Sequence, residues 1–147
     1  MSVRRDPSVP SDMPSDMPSG APSGKRLGVL LLSGAHDRAH YAFVVASGSA
    51  ALGRAVTLFV TNAGCHALFQ DWSGLADADR DARVMASGVA GLTDLREACV
   101  ELGVRLIACE AGLRAEGLDA ARLLPQVEVA GIATFLSAVG DGQIVAI

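Results

Sequence analysis

Three short apolar runs, separated by stretches of helical period, limit the folds open to this chain more than any other feature. Residues 27–32 are almost wholly aliphatic, residues 55–60 are rich in Val, Thr and Phe, and residues 104–108 are apolar apart from Arg105, just before Cys109. Nearly continuous apolar runs of this length fit strands buried on both faces of a parallel sheet, whereas a strand with one wet face alternates. Between the first two runs, residues 37–52 take up a helical period. Ala42, Val45, Ala46, Ser49 and Ala50 share one small-residue face, and Gly53 stands where a helix stop is wanted. Residues 92–102 do the same, with Leu92, Leu95, Ala98, Cys99 and Leu102 on one stripe and Gly103 at its end. Residues 127–130, 132–139 and 143–147 read as a strand, a helix and a terminal strand. Residues 65–71 and 119–124 read as short helices, and residues 110–117 as a loop or single turn. Residues 72–91 form a long excursion with a helical piece near 79–86.

Strands alternating with helices predict an α/β protein: a single three-layer α/β/α domain over residues 26–147, with a mostly parallel sheet of about five strands. Crossovers in such sheets are right-handed, and the ligand crevice lies beyond the carboxyl ends of the strands. The segments after residues 32, 60, 108 and 130 are therefore expected to converge and to carry function.

The first 25 residues do not share this pattern. Five of the six prolines fall between Pro7 and Pro22, where Ser-Asp-Met-Pro occurs twice, at 11–14 and 15–18. Proline every fourth residue removes amide donors and blocks both helix and ladder. Residues 1–25 are expected to be a disordered Ser/Pro-rich leader, without the apolar centre of a secretory signal. Gly20–Lys25 resembles a phosphate loop only in outline: the glycines are four apart, Arg26 replaces the magnesium-binding hydroxyl, and a strand follows instead of preceding.

Charge and composition exclude several classes. The net charge is −4 and the pI about 5.2, so the basic footprint of a nucleic-acid binder is missing. One Lys among twelve basic residues leaves no polybasic membrane patch, and no apolar run approaches the roughly 18 residues of a membrane span. Three Cys, an odd number, do not make a disulfide framework. Free thiols suit a reducing compartment, so the cytoplasm is the expected location.

The three thiols differ in setting. Cys99 lies on the apolar stripe of its helix, where Cys behaves as a small hydrophobe. Cys65 follows the second strand by a few residues; it either borders the crevice or covers the start of a short helix. Cys109 comes directly after a buried strand, at the edge where the sheet opens. The following residues can leave amides free to face an anion, and a partly exposed thiol there would have thiolate character and react with sulfur. The alternative is a cysteine that merely closes a strand.

Residues 104–109, Val-Arg-Leu-Ile-Ala-Cys, with Gly117 beyond them, resemble the strand-and-cysteine segment of the DsrE-like sulfur relay proteins (DsrE/DsrF/TusD type). The resemblance extends to the helix at 92–103, the strand and turn at 55–64, Val127-Glu128-Val129-Ala130-Gly131, and residues 142–147, roughly 26–147 in all. It implies a persulfide held on Cys109 and handed to partner proteins. It also implies assembly as a homo- or hetero-oligomer, a trimer or hexamer. Where some relatives carry a Met-rich stretch after this cysteine, this chain has Glu110-Ala111-Gly112-Leu113-Arg114.

His36 and His40, four apart at a helix start, echo HExxH, but Asp37 is a methylene short of the required Glu and the pair is not in mid-helix. Under the crevice rule either His36 or His40 could approach Cys109 and stabilise its thiolate, or join it in binding zinc; otherwise both are solvated. Arg114 is the nearest cation after Cys109 and could steer an anionic sulfur donor, or simply face water. No Gly-rich dinucleotide fingerprint follows a strand, and no CxxC is present.

The functional expectation is a sulfur carrier or sulfurtransferase. Cys109 is the sulfur-bearing residue, His36, His40, Arg114 and Cys65 are auxiliary, and the partners are a sulfur donor and an acceptor, with no cofactor, metal, nucleic acid or membrane. The alternatives are a non-catalytic oligomeric subunit and a metal-binding or redox-sensing protein built on His36, His40 and Cys109.

Overall fold

The computed structural model describes residues 24–147. The leader expected over 1–25 and the Gly20–Lys25 loop therefore lie, apart from Gly24 and Lys25, outside the described residues. Five parallel strands form one sheet in the order β4-β3-β2-β1-β5. They are β1 (Leu27–Leu31), β2 (Val56–Val60), β3 (Arg105–Cys109), β4 (Glu128–Ala130) and β5 (Gln143–Ala146). In register, Leu27 stands beside Val56 and Gln143, and Thr57 beside Arg105. The central strands are buried on both faces, apart from exposed Arg105 at the start of β3, which is why they read as nearly continuous apolar runs, while β4 and β5 are edge strands and begin with exposed Glu128 and Gln143.

Helices α1 (His36–Ala51) and α3 (Leu92–Glu101) pack against each other. Ala39, Ala42, Phe43 and Ala46 of α1 are buried with Leu27, Val29, Leu58, Leu106 and Cys99 in the larger core. Both helices stop as expected, Gly53 and Gly103 taking φ of 92° and 80°. Among the described residues the opposite face is covered by one helix, α5 (Ile132–Val139), whose Phe135 and Val139 join Phe59 and Ile107 in a smaller core. α5 sits close because β1 offers it Gly28, where a Cβ would lie 2.5 Å from Val139 and 2.7 Å from Phe135.

The excursion after β2 opens with the 3-10 segment Asn62–Leu68 and carries α2 (Arg80–Ala86) where a helical piece was expected. Two expectations need correction. Residues 110–117 are neither a loop nor only a single turn: Glu110–Ala115 form a six-residue helix, α4. Leu102 does not complete the stripe of α3. It follows the last helical residue and is exposed, and Arg96 is buried on the helix instead. The strand order reverses at β1, so the crevice favoured by topology lies between β1 and β5, two strands away from the end of β3.

Candidate functional site

At the carboxyl end of β3 the chain passes from strand into α4 without an intervening loop. Cys109 belongs to both elements, last in the strand and N-cap of the helix, with φ −68° and ψ 120°. An N-cap normally offers an oxygen to the first free amides of the helix. Here the acceptor is sulfur: the Gly112 N–H donates to Cys109 Sγ at 3.3 Å. The amide expected from a loop is thus supplied by a helix start.

Gly112 is required by a turn about fifty residues earlier. A Cβ on it would lie 2.5 Å from both the Asn62 nitrogen and Thr61 Oγ1, so α4 rests directly on the turn that leaves β2. Asn62 there adopts a positive φ of 53°, a conformation Asn tolerates better than most residues.

The Cys109 side chain shares a strand face with Ile107, among Phe59, Phe135 and Val139, with Leu30 and Ala130 packed alongside. Hydrocarbon surrounds most of it, yet the residue keeps 8% of its surface, while Cys65 and Cys99 keep none. All three thiols are unpaired.

Cys65 lies in the 3-10 segment with its Sγ 3.8 Å from the Val60 carbonyl. Burial pushes its thiol up to about 12. The adjacent Cys109 and Glu116 add to the rise, and a Cys109 N–H hydrogen bond offsets part of it. The structure thus brings Cys65 and Cys109 together, but Cys65 as a neutral, enclosed thiol. Cys99, facing the Phe43 carbonyl at 3.9 Å, is likewise pushed up to about 12, by burial alone.

The histidines lie elsewhere. His36 is fully buried, its Nε2 2.8 Å from Asp81 Oδ1 and its Nδ1 3.3 Å from Arg80 Nη1. The same Asp81 oxygen accepts the Leu92 N–H at 2.8 Å. His40 stacks on His36 at 5.7 Å and reaches the Ala90 carbonyl at 2.8 Å. Both rings therefore tie α1 to α2 and to the start of α3. They are neither solvated nor turned to Cys109, whose side chain is on the α5 face of the sheet. Arg114 lies on the outer side of α4 and pairs with Glu110 at 3.1 Å, both side chains well exposed. Among the described residues, no three His, Cys, Asp or Glu side chains are grouped so as to hold a metal ion.

Three residues that shape this region gave little sign of it in the sequence. Asp81 was one acid among several in an acidic excursion. Gly112 lacked any local pattern demanding a glycine. Arg96, buried on α3, holds the Ala67 and Phe69 carbonyls at 3.2 and 2.5 Å. Its Nε has no partner among the described residues, and burial lowers its pKa. Only its position on the stripe, one residue after Leu95, could have signalled that role.

Residues 70–147 match the DsrE/DsrF/DrsH-like family. The chain is 27% identical over 152 residues to the sulfur carrier protein DsrE2 of Allochromatium vinosum, spanning 82% of this chain and 96% of that protein. It is 26% identical over 151 residues to the uncharacterized protein YrkE of Bacillus subtilis, spanning 82% and 94%. Among solved structures, the ychN protein from E. coli superposes with a TM-score of 0.60 at 8% identity, covering 84% of this chain and all of that one. The MTH1491 protein of Methanobacterium thermoautotrophicum, of unknown function, gives 0.53 at 19% identity with the same coverage. These two likenesses establish the fold. Among the described residues no helix is long and apolar enough to cross a membrane.

Proposed function

This chain belongs to the DsrE/DsrF/DrsH-like family, and on that premise we propose that it is a sulfur carrier that holds sulfane sulfur as a persulfide on Cys109 and passes it to a partner thiol. The observation that carries the reading is the Gly112 N–H aimed at Sγ of the one cysteine that retains surface. The relative named as a sulfur carrier supports the same direction.

The chemistry needs a thiolate and little else. Cys109 Sγ attacks the outer sulfur of a donor persulfide. A new S–S bond forms, the donor S–S bond breaks, and its electron pair leaves on the donor thiolate. In the second half an acceptor thiolate attacks the outer sulfur now on Cys109, and Sγ departs with the electron pair. The Gly112 N–H meets that charge; hydrogen bonds to charged groups contribute roughly 1.5–3 kcal/mol. Sγ never changes its net oxidation state over the cycle, so no redox cofactor is needed. Cys65 is a neighbour that remains protonated, and Arg114, held by Glu110, lies at the rim. Three unpaired thiols fit a reducing compartment such as the cytoplasm.

The test is intact mass after exposure to thiosulfate, polysulfide or glutathione persulfide. The wild type gains the mass of one sulfur atom, Cys109→Ser does not, and Cys65→Ser and Cys99→Ser do. No gain with any donor overturns the reading.

A further inference from the structure

At the opposite edge from Cys109, where the strands begin, lies a hollow of about 780 Å³. Three arginines line it, Arg26, Arg54 and Arg105, and among the described residues no Asp or Glu does. Their commitments differ. Arg105 forks onto Glu128 at 2.6 and 2.9 Å, so its charge is met. Arg26 is 3.9 Å from Asp141, both side chains more than half exposed. Arg54 has no carboxylate partner among the described residues: its Nε donates to the Lys25 carbonyl at 2.7 Å and its Nη2 to Gln143 Oε1 at 3.2 Å.

Those two bonds to neutral oxygens fix the plane of the Arg54 fork and leave Nη1 unclaimed among the described residues. Helix carboxyl ends attract cations, but that does not account for Arg54. The carbonyls of Gly48, Ser49 and Ala50 near the end of α1 are taken by the backbone N–H groups of Leu52, Gly53 and Arg54, and the hydrogen bonds of the guanidinium go to Lys25 and Gln143, not to α1 or α3. A local excess of positive charge is thus held in place within a chain of net charge −4.

A planar guanidinium with free donors matches phosphate oxygens in pairs. The hollow is larger than an inorganic ion needs and falls within the roughly 300–1,000 Å³ of small-molecule sites. Ala50, Val56 and Leu102 supply apolar wall beside the arginines. We propose that this hollow binds an organic phosphate, Arg54 holding the phosphate group and the apolar wall the organic body. The site is separate from Cys109, so its test does not depend on the carrier reading.

The experiment is amide NMR on the full-length protein in low-chloride buffer, titrated with phenyl phosphate and, separately, inorganic phosphate. Phenyl phosphate shifts the amides of Gly53, Ala55 and Gly103 saturably; inorganic phosphate moves the same amides at concentrations about tenfold higher. Arg54→Gln weakens both by about tenfold or more, while Arg114→Gln changes neither. Arg54→Lys, which keeps the charge and loses the fork, falls between and guards against a folding defect. The proposal is overturned if neither probe saturates by about 10 mM, or if Arg54→Gln binds as the wild type does.

Discussion

Gly112 connects the sulfur atom to the rest of the molecule. Its N–H reaches Cys109 Sγ, and its missing Cβ lets α4 lie on Thr61 and Asn62. Gly112→Ala places a methyl 2.5 Å from backbone and hydroxyl, which only a shift of α4 relieves. Overpacking of this kind costs about 1–3 kcal/mol. The urea midpoint is expected to fall, and Cys109 to alkylate faster than in the wild type as its cover lifts; an unchanged alkylation rate contradicts this account of the site. Cys109 was legible in the sequence because it ends an apolar run. Gly112 was not, because what demands a glycine there is a turn distant in the chain. The other two thiols give a pH prediction. Burial raises Cys65 and Cys99 from the ordinary 9.0 to about 12, so the fold retains protons that the unfolded chain releases. Their contribution to stability is complete below pH 9 and is lost as pH rises towards 12, at about 1 kcal/mol per pH unit for each thiol. Urea melts of Cys99→Ala and wild type across pH 8–11 should show the shallower decline in the variant. Under native conditions at pH 8, iodoacetamide should modify Cys109 alone.

Among the elements, the arm carrying α2 is tied to both α1 and α3 through one shared carboxylate. Asp81 Oδ1 takes both the Leu92 N–H that opens α3 and the ring of buried His36 on α1. Removing it leaves two enclosed polar groups without a partner, which costs about 2–4 kcal/mol. Asp81→Ala should lower the urea midpoint accordingly and expose Arg80 and Arg83 to trypsin well before global unfolding. If trypsin cuts there no sooner than in the wild type, the arm is held by something else. The His36–His40 spacing carried a true signal, two rings on one helical face, but the rings meet α2 and the Ala90 carbonyl and not a thiol. Nothing within α1 identifies those partners. The strands, α1, α3 and α5 were legible because apolar runs and helical periods extend over whole elements. The six-residue α4 was not, since so short a segment spans less than two turns and contains Gly112, a residue that argues locally for a loop.

Over the whole molecule, the two faces of the sheet are covered unequally. Among the described residues, α1 and α3 lie side by side on one face, while α5 alone covers the other. α5 contains no charged residue in Ile132–Val139, nor does β5 in Gln143–Ala146. Ile132 and Leu136, one turn apart, are about half exposed, as are Ile144 on β5 and Leu32 after β1. An outward helix without a single charge is costly to leave in water and gives a charged partner nothing to recognise. It suits a surface that meets its own copy, where each apolar residue faces another. We expect the protein to associate through this face, which also bears Cys109, so that a neighbouring chain stands beside the thiol. Light scattering behind size exclusion should find the wild type as an oligomer. Leu136→Glu should leave a folded monomer, because burying an unpaired carboxylate at the contact costs several kcal/mol. Tyr41→Glu, on the exposed side of α1, should leave the assembly intact. A wild type that stays monomeric at high micromolar concentration would show that the bare face of α5 serves some purpose other than self-association.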